Sequence, residues 1–164
     1  MSPFPKELSS ANCAAYLCSP EDLEVSHVRC RDLKVPFELD KPQQILPKTA
    51  LASRLAENSL LFTLAEQVIT PEHYTGLQNN HIYILCDREL IALKIFAAPE
   101  VLAAAEEVGI KPGTVFTEES CGANALALAR EHNRLVACQQ RLKIDPFWHS
   151  KFDPQGILKV PTDC

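Results

Sequence analysis

Glycine is scarce in this chain, five residues in 164, and that scarcity closes off one class of chemistry at once. Neither a Walker pattern nor Gly-x-Gly-x-x-Gly occurs, so no loop has the bare backbone that cradles a nucleotide phosphate. Basic residues are in the minority, 16 against 21 acidic, for a net charge of −5. That balance offers no basic face to duplex DNA or an anionic lipid surface. Long apolar runs are missing as well. No stretch of eighteen apolar residues occurs, which argues against a membrane-spanning helix. The opening Met1-Ser2-Pro3-Phe4-Pro5-Lys6-Glu7 has neither a basic n-region nor an apolar h-region, and does not read as a secretory signal.

Paired metal-ligand spacings are also lacking. The seven cysteines, Cys13, Cys18, Cys30, Cys86, Cys121, Cys138 and Cys164, form no Cys-x-x-Cys and no zinc pattern. Cys86 and Cys138 sit inside apolar runs and read as small buried hydrophobes. Free thiols without an export signal point to a reducing, cytoplasmic setting. His27, His73, His81, His132 and His149 are all singletons, so no metal site is expected. Ser120-Cys121-Gly122 stands near a helix start, a position that can lower a thiol pKa. His132, however, lies eleven residues on along the same expected helix, too far to reach back as a base. With no Gly-x-Ser-x-Gly elbow either, no catalytic residue and no cofactor are expected, and an enzyme is the least supported reading.

What is present is a core. Apolar residues make up 46% of the chain, enough for one domain with an N-terminal extension. Residues 1–47 read as that extension. Ala11–Leu17 is a short helix, Ser19-Pro20-Glu21-Asp22 a turn or helix start, and Leu23–Leu33 a second helix. Pro36, Pro42 and Pro47 then punctuate an extended connector. Residues 48–164 read as the domain proper. Leu51, Leu55, Phe62, Ala65 and Ile69 recur at helical spacing, with Leu61, Leu64 and Val68 broadening the stripe and Asn58 interrupting it. A helix over 48–69 follows, packed on its own domain or partly paired with a second copy across a dimer seam.

His81–Cys86 and Leu90–Phe96 read as a β-hairpin turned at Asp87-Arg88-Glu89. Pro99 opens a helix with Val101, Leu102, Ala105 and Val108 inward and Gly109 just past its end. Pro112-Gly113 is a turn, a loop runs to Cys121, and a helix of small residues follows. Arg134–Cys138, Phe147–Phe152 and Ile157–Val160 read as further strands, the last two joined by the turn Asp153-Pro154-Gln155-Gly156. A sheet with helices across one face leaves room for a small-molecule pocket, to which Glu118, Asn124 and the loop from Gly113 to Cys121 are candidate polar contributors. Asn124 has a structural alternative, since an Asn at a helix start can bond the backbone of the preceding loop.

Pro112-Gly113-x-x-Phe116-Thr117-Glu118 followed by Gly122-Ala123-Asn124-Ala125-Leu126-Ala127-Leu128-Ala129 resembles the motif of GAF domains in the acetoin-catabolism-regulator group, bacterial activators that work with sigma-N. Ser26-His27-Val28-Arg29-Cys30 resembles that family's Ser-Trp-x-Arg-Cys signature, and Phe152-Asp153-Pro154-Gln155-Gly156-Ile157-Leu158 its last hairpin. Ala123, Ala127 and His27 depart from the usual Thr, Gly and Trp, and Gln139-Gln140-Arg141 replaces the usual stretch after Cys138. The resemblance implies an α/β (α+β) fold: a GAF-like antiparallel sheet with helices packed on it, behind the helical extension. It also implies a sensory domain that binds a small effector, forms a homodimer and shifts a dimer or interdomain equilibrium. An ATPase and a DNA-binding domain would follow in the larger regulator, and neither is in this sequence. Topology and resemblance together give Phe96, Phe116, Glu118, Cys121, Asn124 and Leu126 as pocket residues. Two other readings stand beside this one. In the first, the pocket is filled by Leu126, Phe116 and Phe96 and the chain is a ligand-free interaction module. The second is a redox sensor using Cys121 or Cys138.

Overall fold

The computed structural model describes residues 18–36, 39–75, 82–134 and 136. Among them are six α-helices, a short 3₁₀ turn and a two-stranded antiparallel sheet, a mixed α+β architecture. The helix at 11–17, the strands expected at 147–152 and 157–160 and the turn between them lie outside these residues. So does most of the strand expected at 134–138, whose described residue Arg134 forms a bend.

Helix α1 spans Pro20–Asp32. Its start is written in the sequence: Ser19 Oγ accepts from Asp22 N at 3.0 Å, Pro20 sits in the first turn, and Glu21 and Asp22 complement the helix dipole. The helix therefore begins three residues before the expected Leu23. It buries only Leu23, Ser26 and Cys30.

The expected helix over 48–69 is divided into α2, Lys48–Glu57, and α3, Ser59–Val68. Asn58 divides them at φ −107° and ψ 23°, its side-chain amide donating to Arg54 O at 2.9 Å. An amide that satisfies the preceding turn competes with helix continuation. Leu51, Leu55, Phe62, Ala65 and Ile69 are all half-buried, as their spacing requires. Leu61, Leu64 and Val68 are exposed, so the broad side of the stripe faces outward rather than into this fold.

Strands β1, Tyr83–Cys86, and β2, Ala92–Phe96, pair antiparallel with a bulge between Leu85 and Cys86. Their turn is held by Asp87, whose Oδ1 accepts from Glu89 N and Ile91 N, both at 3.0 Å. Leu90 follows at φ 62°, a left-handed conformation that these bonds hold in place. Arg54 of α2 reaches the same turn, 3.5 Å from Asp87 Oδ2 and 3.0 Å from Glu89 Oε2. From α3, Glu66 pairs with Lys94, whose ammonium lies over the Phe62 and Phe96 rings. Helices α2 and α3 are thereby tied to the hairpin by charge as much as by apolar contact.

Helix α4, Pro99–Glu107, buries Ala105, with Val108 buried at its end and Gly109 beyond it at φ 83°. Leu102 is exposed, against the inward position expected for it. The main core gathers β2, α4 and the segment after it: Ala92, Ile95, Ala105, Val108, Ile110, Phe116, Cys121 and Ala127.

Candidate functional site

The Pro112-Gly113 turn joins three parts of the chain. Gly113 stands at φ 95°, where its N–H donates to Ala92 O at 2.7 Å and its carbonyl accepts from Leu46 N at 2.8 Å. A Cβ here would lie 3.0 Å from Leu46 O, so both the conformation and the space call for glycine. The stretch expected as a loop is knitted in. Ala92 N donates to Thr114 O, Val115 N to Gln44 O and Phe116 N to Leu90 O. Thr114, fully buried, donates through Oγ1 to Gly109 O at 2.7 Å.

Two short helices follow. Thr117 caps α5, Glu118–Cys121, and Gly122 at φ 71° ends it. Asn124 caps α6, Ala125–His132, its Oδ1 accepting from Ala127 N at 3.0 Å. Its Nδ2 donates to Phe116 O at 3.1 Å and to Gly122 O at 2.9 Å. The side chain is thus spent on backbone, in the capping role open to an Asn at a helix start. Cys121 and His132 do not share a helix, as the spacing suggested. The Gly122–Asn124 break separates them, and His132 Nε2 sits 3.6 Å from Asp22 Oδ1 at the far end of α6.

Glu118 is held at both carboxylate oxygens by side chains of α1. Ser26 Oγ donates to its Oε1 at 2.5 Å. Arg29 clasps it from both sides, Nε to Oε2 and Nη2 to Oε1, each at 2.7 Å. The Glu118 side chain is 12% exposed, that of Arg29 33%. Burial pushes the carboxyl pKa up, but hydrogen bonds from Arg29 and Ser26 and the charges of Arg29 and Arg130 outweigh it, holding Glu118 below the usual carboxylate range. The same bond raises the Arg29 pKa against its own desolvation. Ser26 and Arg29 stand three apart on one face of α1, so a single helix face delivers both donors.

The six expected pocket residues do not converge on one cavity. Phe116 and Cys121, both fully buried, pack in the main core with Leu126 against them. The Cys121 thiol donates to Val115 O at 3.2 Å. Phe96 is elsewhere, its ring 6.4 Å from that of Tyr74 on the sheet face that carries Lys94. Asn124 is turned into the backbone, and Glu118 points away toward α1. A half-open depression of about 250 Å³ lies beside Glu118, lined by Arg29, Leu33, Thr117, Glu119, Arg130 and Glu131 among others. Of the six, it holds Glu118 alone.

Among the described residues no group of three or more His, Cys, Asp or Glu is placed to hold a metal ion, and no helix is long and apolar enough to cross a membrane. The partners of Glu118 were not among the expected site residues. Their signal was the Ser-x-x-Arg spacing at 26 and 29, which carried part of the family resemblance but no contact. No family model matches the chain, and neither a curated protein nor a solved structure matches it.

Proposed function

We propose that this chain is a regulatory module, GAF-like and of the acetoin-catabolism-regulator kind, whose working output is reversible pairing of two copies through α3. The observation that carries this reading is the outer face of α3. Leu60, Leu61, Leu64 and Val68 are 73%, 42%, 49% and 37% exposed, and none of the four is charged. They recur at helical spacing, so they form one stripe that matches itself across a two-fold axis. Their exposure sums to about two fully exposed side chains. Burying that much is worth roughly 3–6 kcal/mol per copy. Doubled, it is comparable with the roughly 4–15 kcal/mol that association costs. The pairing is therefore weak and concentration-dependent, which suits an equilibrium that regulation can shift.

The family part of the reading is supported by where the resembling residues meet. Ser26 and Arg29 from one quoted signature bond Glu118 from the other, and Asn124 of the second motif caps the helix that follows. A buried Phe116 and a backbone-bonded Asn124 favour the ligand-free form over a pocket built from those residues. A small-molecule sensor is the second reading, in which a small polar effector would sit in the half-open, mostly charged depression beside Glu118.

Sedimentation velocity over a concentration series tests the pairing. The wild type is expected to shift from monomer to dimer as concentration rises, and the Leu60→Asp/Leu64→Asp double variant to stay monomeric with unchanged helix content. A wild type monomeric throughout removes the proposal. Thermal unfolding against small metabolites tests the second reading. A ligand at about a hundred times its Kd adds about 2.7 kcal/mol of stability, and a shift lost on Arg130→Ala would place it in the depression.

A further inference from the structure

Helix α1 lies outside the main core and, like α2 and α3, is held in large part by charge. Its apolar contact is a small cluster of its own, Leu23 with Cys18, Leu128 and Val136, separate from the main core. Its outer face leaves Val25 and Val28 exposed, with Leu33 exposed at its C-cap. What remains is charge. Near its C-terminal end Arg29 holds Glu118, with Glu131 at 4.0 Å. At its N-terminal end Asp22 meets His132 at 3.6 Å and Arg134 at 3.3 Å. Beyond Asp32 the helix stops sharply, with Lys34 at φ 58° and Val35 N bonded back to Cys30 O. The chain is buried again at Leu39 and Pro42, after which Gln43 N donates to Ser120 O and Gln44 N to Ser120 Oγ.

We infer that α1 is a conformational latch, a helix that docks on and leaves α5 and α6 as a unit, with the Glu118 carboxylate as its catch. The inference is independent of pairing through α3. The half-buried carboxylate is gripped at both oxygens by Arg29 and bonded by Ser26, so the closed state is a defined geometry rather than a loose contact. When α1 leaves, Leu128 and the Glu118 carboxylate become open to solvent, while Phe116, Cys121 and Ile110 remain covered in the main core. Anything that competes for the carboxylate or the guanidinium shifts the balance by its difference in affinity for the two states. The free energy of opening is smaller than that of global unfolding because few apolar contacts are broken.

The chain carries its own reporters. Cys30 on α1 and Cys18 just before it are buried at the docking surface, and Cys121 is buried in the main core. Pulse labelling of the full native chain with a thiol reagent, read peptide by peptide, compares them. Cys18 and Cys30 are expected to react faster than Cys121. Glu118→Gln is expected to accelerate the first two by about tenfold, the factor for about 1.4 kcal/mol, and to leave Cys121 unchanged. The exchanged pair Arg29→Glu/Glu118→Arg is expected to restore slow labelling in part. Ser26→Ala, a milder change, gives a smaller rise at the same two thiols. Salt added to the wild type speeds Cys18 and Cys30 and leaves Cys121 unchanged, because the contact is ionic and partly exposed. The inference is overturned if all three thiols react at one rate, if Glu118→Gln speeds all three equally, or if neither Glu118→Gln nor salt changes any of them.

Discussion

The two sides of the segment from Thr114 to Leu128 are built differently. Toward β2 and α4 it presents Phe116, Cys121 and Ala127 to an apolar core. Toward α1 it presents Glu118, which Ser26 and Arg29 satisfy with three hydrogen bonds. The first side resists any change of volume, because close-packed interiors relax only partly around a void. The second adds to the contact of Leu128 with Leu23 one charge and its partners, which solvent conditions can alter. A single stretch of chain thus carries both the fixed contact and the adjustable one.

The largest effect is expected on the apolar side. Phe116→Ala leaves a fully buried cavity and should cost about 3–5 kcal/mol in chemical denaturation, lowering the whole transition. A loss below about 1 kcal/mol would mean that Phe116 does not anchor the core. Asn124→Ala comes next. It removes the α6 cap, worth about 1 kcal/mol, and strips donors from Phe116 O and Gly122 O, for a total of about 2–3 kcal/mol. Were Asn124 a ligand contact instead, its replacement would leave stability nearly unchanged.

On the charged side the expected loss is smaller and local. Glu118→Gln keeps the shape but removes the charge facing Arg29. It should cost about 1–2 kcal/mol, between the values for surface and fully buried pairs, because Arg29 is one-third exposed. The pH dependence has a definite sign. The Glu118 pKa is lowered in the folded state, so its contribution is fully present above the ordinary Glu value of about 4.3 and is lost as pH falls through the folded value. Acidification through that window should raise amide exchange in α1 ahead of β2. Equal loss of protection in both elements would erase the distinction between the two sides.

How much of this could be read beforehand follows from the range of each interaction. Local chemistry was legible. Ser19-Pro20, Pro99 and Gly109 sit where capping requires, and the hairpin lies within a few residues of its expected place. Asn124 carried both its readings openly, and its side chain is bonded to the backbone of Phe116, Gly122 and Ala127. The Glu118 contacts span 89 and 92 residues, and no periodicity encodes them. Glu119 is next door with the same charge, and only the phase of a four-residue helix decides which carboxylate faces α1. The break at Asn58 was visible as an interrupted stripe. That the broad side of α3 faces outward was not, because an apolar residue at helical spacing reads the same against a core or a partner.

The smallest expected effect decides whether the charged side has a centre. Asp22 faces His132 and Arg134 at the other end of α1, with side chains 28%, 26% and 40% exposed. Pairs this open to water contribute about 0–1 kcal/mol and weaken in salt. Asp22→Asn keeps the size of the side chain and removes its charge, so it should lower stability by no more than about 0.5–1 kcal/mol. Part of even that belongs to the lost acidic residue in the first turn of α1. A double-mutant cycle with Glu118→Gln measures the coupling between the two ends. If α1 docks as one rigid unit, the second substitution costs less once the first has freed the helix, and the losses fall short of additive. Strict additivity would mean that each end holds its own contact and the helix frays from either terminus. An Asp22 loss as large as that of Glu118 would make the attachment distributed, with no single residue as its catch.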